Sequence, residues 1–323
     1  MPAQIVGRKR SPFRAVIWIV VSLVLLALAA EFSLRLVLGL GHPIVVAPDA
    51  ACDYIEAPSQ HTYRFFHMVD IDKYGMRSAP FAVQPPPGAL RIMFVGNSVT
   101  YGTSRVGQAD IFTQILRRDL PSIVHRPVEV LNASASGWGL ANELDYVRSR
   151  GVFNSGLVLL VLNDSAPGSR RSTLGTGLAQ DSTYDHSTTA FGEIWHRYLK
   201  PKLEHLAPRR DAGDTVRAAG QASVAPNLAR LDQFQQLVTA EHGRFAIIYF
   251  PFRQDIPQPG AWADTILRQW ASEHQVPFFD LTSVEAPQPT AAITLDGVHL
   301  NTRGNRLIAN AIEQQWASVL GAH

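Results

Sequence analysis

Apolar runs and amphipathic stretches follow one another in a regular order from Leu90 to the end of the chain. Runs that are apolar at nearly every position are typical of strands buried on both faces of a parallel sheet. Such runs lie at residues 92–95, 127–131, 157–162, 245–250 and 278–281. Apolar residues at helical spacing predict helices at residues 110–120, 140–150, 262–274 and 302–320. The order predicts an α/β fold with a five-stranded parallel sheet and helices on both faces.

The alternation is interrupted over residues 165–224, after the third predicted strand. Residues 165–189 are rich in Ser, Thr and Gly, whereas residues 191–206 are compatible with one amphipathic helix. An insertion after a central strand lies over the same sheet edge as the end of the first strand. We therefore interpret it either as a lid or as a mobile surface loop. Arg170 and Arg171 within it are candidates for binding an anionic substrate, or else solvated surface charges.

A long apolar stretch near the N-terminus, residues 15–40, predicts a membrane anchor. A bilayer core of roughly 30 Å needs about 20 helical residues, and this stretch supplies them. Glu31 and Arg35 are spaced to pair on one helix face near its outer end. A cleaved signal peptide is the alternative, because Ala27-Leu28-Ala29 fits a small-x-small cleavage pattern. A third interpretation is a buried helix of a soluble core.

Four basic residues in the tail 1–14 precede this stretch: Arg8, Lys9, Arg10 and Arg14. Such a cluster holds the N-terminus in the cytoplasm, which predicts a single-pass protein of the cytoplasmic membrane with its body outside. Residues 41–88 predict a membrane-proximal connector, with a short strand or two around residues 61–68 and a turn at residues 72–77. The rigid Pro85-Pro86-Pro87-Gly88 places the start of the main domain, residues 89–323, immediately after it.

The charge balance excludes one class of partner. The net charge of +2 comes from the basic tail, and without its four residues 25 basic side chains face 27 acidic ones. The body therefore lacks the basic stripe of a nucleic-acid-binding protein. The single cysteine, Cys52, cannot form an internal disulfide or a thiolate metal site, and we interpret it as a small apolar residue. No metal or organic cofactor is implied.

Ser98 follows the first predicted strand within Gly96-Asn97-Ser98, and Gly102 closes the loop. A serine at the carboxyl end of a buried strand lies where open α/β sheets bind their ligands. The alternative is an ordinary strand-to-helix loop with a capping serine.

A second candidate segment, Asp296-Gly297-Val298-His299, precedes the last helix. A serine hydroxyl needs a base within hydrogen-bond reach, and a histidine base needs an acceptor that orients its ring. A carboxylate three residues before the histidine can turn back onto the imidazole within one loop. The alternative is a structural histidine, one of eleven in the chain.

Two further segments end the second and third strands. Gly137 lacks a Cβ, so its N–H can approach a reacting oxygen, and the amide of Asn163 can donate to the same oxygen. With the N–H of Ser98 they would form an oxyanion hole. The alternatives are a flexible turn at Gly137 and a cap or turn at Asn163.

These four blocks, Gly96-Asn97-Ser98, Gly137, Asn163-Asp164 and Asp296-x-x-His299, resemble those of the SGNH (GDSL-type) hydrolases, bacterial membrane-anchored type. The resemblance runs from about Leu90 to the C-terminus. It implies a three-layer α/β/α flavodoxin-like sandwich with Ser98 as nucleophile, His299 as base and Asp296 as orienting carboxylate. It also implies Ser98, Gly137 and Asn163 as oxyanion donors. Asn97 stands where the family usually has Asp, and Val161 stands where it usually has Gly, which would narrow the acyl pocket.

The sequence therefore predicts an extracytoplasmic serine esterase that works through an acyl-enzyme. Resemblance and location together point to a small acyl group, such as O-acetyl on an envelope glycan. Two alternatives stay open. One is a polysaccharide O-acyltransferase that resolves the same acyl-enzyme with a sugar hydroxyl. The other is a non-catalytic glycan-binding scaffold. The sequence indicates the membrane as a partner and no particular protein.

Overall fold

The computed structural model describes residues 12–174, 189–200, 203, 213–252 and 262–319. The basic residues 8–10 of the N-terminal tail and much of the predicted insertion lie outside the described residues. The strands are β1 Val46–Asp49, β2 Asp53–Glu56, β3 Gln60–Arg64, β4 His67–Ile71, β5 Leu90–Gly96, β6 Val128–Ser134, β7 Leu157–Asn163, β8 Arg244–Phe250 and β9 Phe278–Asp280. The helices are α1 Pro12–Leu38, α2 Ser98–Tyr101, α3 Phe112–Val124, α4 Leu140–Arg150, α5 Ala190–Glu193, α6 Gly213–Ala240, α7 Trp262–Glu273, α8 Thr282–Glu285, α9 Thr290–Ile293 and α10 Thr302–Val319. A 3₁₀ turn, Gln108–Asp110, precedes α3, and a π-helical turn, Ile194–Leu199, continues α5.

The five-stranded sheet is parallel throughout, in the order β6-β5-β7-β8-β9. Counted along the chain this is the 2-1-3-4-5 order of flavodoxin-like folds. It confirms the predicted α/β sandwich with a five-stranded parallel sheet. The order reverses at β5, so the carboxyl end of β5 lies at the switch point where such sheets bind ligands. Ser98 follows two residues after β5.

Helices cover both faces of this sheet, because alternate residues of each strand point to opposite sides. In β5, Met93 and Val95 pack in one apolar cluster, whereas Ile92 and Phe94 pack in the other. The first cluster includes apolar residues of α4, α6 and α7, and the second includes those of α3 and α10. The sheet is therefore the middle of three layers.

Helix α6 is an element that the sequence pattern did not predict. Its second half buries Leu231, Phe234 and Val238 against the sheet, so it is the crossover between the parallel strands β7 and β8. Pro226 lies inside it and obscured the helical pattern, because proline normally ends a helix. The need to cover a crossover between two parallel strands was the available signal.

Residues 41–88 fold into two antiparallel hairpins, β1–β2 and β3–β4. The second hairpin confirms the short strands expected around residues 61–68. The first packs on the body, since Cys52 and Tyr54 are fully buried in a cluster shared with β5 and α4. This part of the chain is therefore built into the sandwich rather than strung between the anchor and the main domain.

Helix α1 is long and apolar enough to span a membrane, and none of its most apolar stretch is buried by the other described residues. Glu31 and Arg35 pair on it as expected, at 2.5 Å.

Candidate active site

The turn after β5 is held in one conformation by its own residues. Asn97 caps α2, with its side-chain oxygen accepting the N–H of Val99 at 3.1 Å. A side chain at Gly96 would place its Cβ 2.2 Å from the hydroxyl of Thr100, so only glycine fits there. Gly102 ends α2 with φ of 85° and donates its N–H to the carbonyl of Ser98 at 2.9 Å. These contacts fix the backbone of Ser98 at the carboxyl edge of the sheet.

The loop before α10 is equally constrained. Gly297 has φ of 92°, which lets the chain reverse within four residues. One carboxylate oxygen of Asp296 accepts the backbone N–H groups of Val298 at 3.1 Å and His299 at 2.8 Å. The N–H of Leu295 donates to the carbonyl of His299 at 2.7 Å. The second oxygen of Asp296 is left to face the imidazole.

The structure brings the three predicted side chains into one hydrogen-bonded chain. Oδ2 of Asp296 lies 2.8 Å from Nδ1 of His299, and Nε2 of His299 lies 2.9 Å from Oγ of Ser98. Ser98 and His299 are 201 positions apart in sequence, so the fold alone creates this contact. A hydroxyl, a base and an orienting carboxylate in this order can activate the hydroxyl as a nucleophile.

The carboxylate of Asp296 is held in its charged form. Partial burial alone would raise the pKa of Asp296, but hydrogen bonds from the ring and backbone of His299 hold that pKa well below its usual range. The guanidinium of Arg105 lies 3.6 Å from the same carboxylate. Asp296 is therefore ionised throughout the range in which a histidine can act as a base.

The two other predicted oxyanion donors stand at the same sheet edge. β5 is flanked by β6 and β7, with Gly96 opposite Ser134 and Val95 opposite Leu160. Ser98 comes two positions after Gly96, and Gly137 and Asn163 come three positions after Ser134 and Leu160. Of the three predicted donors, only Ser98 is among the described residues that line the cavity described below.

The side chain of Asn163 is oriented by its own loop. Its Oδ1 accepts from the N–H of Ser165 at 3.1 Å and from the Ser165 hydroxyl at 2.6 Å. No described residue accepts from its Nδ2, which is left to donate. Asp164 has a structural role, since it accepts from the Tyr249 hydroxyl and the N–H of Phe252 and so joins the ends of β7 and β8.

Ser98, His299 and Asp296 line a cavity of about 290 Å³. The sequence analysis missed four of its other walls: Glu56 of β2, Arg105, and Arg197 and Tyr198 of the π-helical turn. They come from segments interpreted as connector, loop and insertion, and no local pattern marks them. Their arrival at the site depends on long-range packing.

Glu56 and Tyr54 of β2 form hydrogen bonds with the turn that carries Gly137. The Tyr54 hydroxyl donates to the carbonyl of Ser136 at 2.7 Å, and the N–H of Ser136 donates to the Glu56 carboxylate. The indole N–H of Trp138 donates to the carbonyl of Tyr54 at 2.9 Å. Gly137 lies between these contacts with φ of 79°. The direction of its N–H is therefore set by β2 as well as by its own turn.

Glu56 is almost completely buried. Burial raises the pKa of Glu56 to about 7, against the opposing effects of the Ser136 N–H and of the positive charges of Arg197 and Arg77. A change in its protonation near neutral pH therefore alters the charge of the cavity wall.

Other candidate residues lie away from the cavity. Arg171 pairs with Asp53 at 2.5 Å and with Asp145, and neither it nor Arg170 is among the described lining residues. Cys52 is buried, and burial raises the pKa of its thiol to about 12, which makes it unreactive.

Val161 is packed in the apolar cluster under α3 and α10 and is not among the described residues that line the cavity. The expectation that it narrows the acyl pocket is therefore wrong, because its side chain points into the sandwich. Within the described ranges, no three His, Cys, Asp or Glu side chains converge to hold a metal ion.

Three solved structures illustrate what the chain is similar to. An acetylxylan esterase from Geobacillus stearothermophilus, a catalytic mutant, matches at 15 % identity and a TM-score of 0.43 over 70 % of this chain and 93 % of the other. A two-domain esterase active on acetylated mannans, co-crystallised with mannopentaose, matches at 14 % identity and a TM-score of 0.46. The match covers 72 % of this chain and 50 % of the other. A member of the lipolytic G-D-S-L family from Veillonella parvula matches at 15 % identity and a TM-score of 0.43. The match covers 71 % of this chain and 99 % of the other.

The chain resembles the SGNH hydrolases. The order of its sequence blocks and the meeting of Ser98, His299 and Asp296 carry this resemblance. No family model and no curated protein matches the chain.

Proposed function

We propose that this protein is a serine esterase of the SGNH type that cleaves an ester of a small acyl group. The observation that carries the proposal is the hydrogen-bonded chain from Asp296 through His299 to Ser98, with contacts of 2.8 Å and 2.9 Å. A non-catalytic glycan-binding scaffold has no need for a nucleophile, a base and an orienting carboxylate held in this order.

The reaction follows from these positions. Oγ of Ser98 attacks the ester carbonyl while Nε2 of His299 takes its proton, and ionised Asp296 stabilises the imidazolium through Nδ1–H. The N–H groups of Ser98 and Gly137 and Nδ2 of Asn163 stabilise the negative oxygen of the tetrahedral intermediate. His299 then protonates the departing alcohol, which leaves an acyl group on Ser98. Water attacks this acyl-enzyme with His299 again as base and releases the acid.

The size and polarity of the cavity support a short acyl group. Its volume of about 290 Å³ lies at the lower end of the range of pockets that hold small ligands, and its walls include Glu56, Arg105 and Arg197. A long acyl chain would need an apolar groove of greater length. We therefore propose acetyl or a similarly small group as the acyl part. The resemblance to the family and the proposed location outside the cytoplasm support an envelope glycan as the alcohol part.

We further propose that the enzyme works outside the cytoplasm, anchored by α1. The support is the length and exposure of α1 and the basic residues that precede it in the sequence. An alkaline phosphatase fusion after His323, active only when exported, tests this orientation. A cytoplasmic reporter fused at the same place should be inactive.

Full-length protein in detergent should hydrolyse p-nitrophenyl acetate faster than p-nitrophenyl octanoate. Ser98→Ala is the matched control, and mass spectrometry of the wild type should detect one acetyl group on the peptide that contains Ser98. Equal turnover by wild type and Ser98→Ala would refute the esterase. Acetyl transfer to an added oligosaccharide in preference to water would replace hydrolysis with the transferase.

A further inference from the structure

Residues 190–199 form one continuous helical segment, α5 and the π-helical turn, whose two sides differ in polarity. Phe191, Trp195 and Leu199 recur at every fourth position and are 46 %, 50 % and 46 % exposed. On the other side Glu193 is buried, and Arg197 and Tyr198 line the cavity that contains Ser98. We refer to Phe191, Trp195 and Leu199 as the apolar stripe. Large apolar side chains in such a row are typical of a helix that contacts a further apolar phase.

The beginning of this segment is attached to the side of α1. The carboxylate of Glu31 accepts the N–H of Ala190 at 2.8 Å and the N–H of Phe191 at 3.0 Å. Glu31 lies seven residues before the end of α1 at Leu38, which is about 10 Å along the helix. Phe32 beside it is still exposed, as are the apolar residues that precede it. The segment therefore meets α1 where a lipid-facing surface reaches the edge of a bilayer core.

The orientation of the segment is locked. Arg64 and Glu193 form an ion pair in which both side chains are at most 1 % exposed. Glu193 also accepts the N–H of Gly41 at 2.6 Å, and Arg64 donates to the carbonyl of Gly39 at 2.6 Å. These contacts join α5, the end of β3 and the link after α1. The apolar stripe cannot turn away from α1 without breaking a buried charge pair.

Aromatic residues of the β3–β4 hairpin lie at the same level. The Tyr63 hydroxyl donates to the carbonyl of Val37 at 3.2 Å, and the N–H of Phe65 donates to the carbonyl of Leu38 at 3.0 Å. Phe66, at the tip of the hairpin, is 65 % exposed. Aromatic side chains are enriched at membrane–water interfaces, where their rings sit at the headgroup level. The end of α1 is thus flanked on two sides by exposed aromatic and apolar residues.

We propose that the apolar stripe and Phe66 rest in the headgroup region of the bilayer that α1 spans. The proposal relies on the membrane anchoring proposed above, and it identifies lipid as the occupant because the surface continues from the lipid-facing side of α1. Arg197 and Tyr198 lie across the same helix, so the catalytic cavity is held within about one helix diameter, roughly 10 Å, of the membrane surface. The substrates it reaches are esters carried at that surface.

A fluorescent label at position 199 tests this contact in the full-length protein. Cys52 is fully buried and takes no label, so Leu199→Cys can be labelled selectively with NBD. Val20→Cys, in the exposed apolar part of α1, and Ile123→Cys, exposed at the end of α3, serve as controls. The proteins are reconstituted in phosphatidylcholine vesicles without spin-labelled lipid, with lipid that carries a nitroxide on its headgroup, or with lipid that carries a nitroxide in its acyl chain.

We expect the acyl-chain nitroxide to quench NBD at position 20, the headgroup nitroxide to quench NBD at position 199, and neither to affect position 123. Quenching at position 20 with a response at 199 equal to that at 123 would overturn the membrane contact while the anchor remains. No quenching at position 20 would refute the anchor and with it this proposal. Neither outcome depends on esterase activity, so failure of the esterase proposal is seen separately.

A double variant, Phe191→Ser with Trp195→Ser, tests the consequence for substrate. Neither side chain lines the cavity. The probe is lysophosphatidylcholine acetylated on its free hydroxyl and embedded in vesicles, compared with soluble p-nitrophenyl acetate. We expect kcat/KM to fall about tenfold on the vesicle-borne ester and to stay unchanged on the soluble one. An equal loss on both esters would indicate a merely structural role and overturn the proposal.

Discussion

The hydroxyl of Tyr54 donates a hydrogen bond of 2.7 Å to the carbonyl oxygen of Ser136 and so attaches β2 to the turn that carries Gly137. Tyr54 precedes the main domain in sequence, whereas Ser136 belongs to its second strand-to-helix connection. The side chain is fully buried, so the contact is shielded from water. The hairpin before the domain therefore supports the turn that carries Gly137, the proposed oxyanion donor.

Tyr54→Phe should lower kcat and leave KM for p-nitrophenyl acetate nearly unchanged. The substitution removes the hydroxyl but keeps the ring, so the turn loses one restraint while the hairpin stays packed. We expect a loss of about tenfold, less than the 10²–10³ that follows removal of an oxyanion donor itself. Tyr63→Phe, which loses only a bond to the end of α1, is the matched control. Equal kcat for the two variants would contradict the role of Tyr54.

Asp296→Asn tests the orienting carboxylate. An amide in this place favours the wrong tautomer of His299 and cannot stabilise the imidazolium, so kcat should fall by about 10³–10⁴. The measurement is steady-state hydrolysis of p-nitrophenyl acetate, with circular dichroism to verify folding. Asp119→Asn removes a carboxylate that pairs with Arg118 and Arg306 at the surface, and it should keep wild-type kcat. A fall of less than tenfold in Asp296→Asn would mean that His299 works without this partner.

Asn163→Asp tests the amide donor. The variant keeps the size and the acceptor that binds Ser165 but replaces the donating Nδ2 with an oxygen. We expect kcat to fall by at least about 10²–10³, because the new group repels the developing oxyanion. KM should change much less, since the ground-state ester carries no full charge. An unchanged kcat, whether KM rises or stays the same, would show that Asn163 does not belong to the oxyanion hole.

The parts of the fold that local patterns encode were predictable from the sequence. The strands β7 and β8 are apolar at nearly every position, and α4 has the predicted bounds of residues 140–150, because burial and helical spacing leave a local signature. Ser98 and His299 were also accessible, since each stands in a short segment whose glycine and carboxylate have a local purpose. In the structure Nε2 of His299 lies 2.9 Å from Oγ of Ser98, and the catalytic roles of the two groups stay a prediction.

The remaining site residues depend on contacts that no local pattern records. Glu56 and Arg197 reach the cavity through packing of the β1–β2 hairpin and of the π-helical turn within the insertion. Val161 departs from the family pattern, yet its side chain faces the core, and only the strand register shows this. Helix α6 was not predictable from the local pattern, because Pro226 lies inside it and tertiary packing stabilises the helix.

Glu143→Gln should stabilise the protein, and increasingly so as the pH rises. Glu143 of α4 is buried, its Oε2 has no hydrogen-bond partner among the described residues, and burial raises its pKa to about 8 from an ordinary value of 4.5. Its folded-state pKa therefore lies above its unfolded value. The stability associated with its protonated form is fully present below pH 4.5 and is lost as the pH rises to about 8.

Glutamine is neutral at every pH and escapes this loss. The free energy of unfolding of Glu143→Gln relative to wild type should thus grow between pH 5 and pH 8 by about 3–5 kcal/mol and then level off. Urea unfolding of the full-length protein in detergent at several pH values measures it, with Glu273→Gln, a change at a solvent-exposed carboxylate, as control. A difference that is independent of pH would show that the Glu143 side chain does not titrate in this range, because a partner or water stabilises its charge.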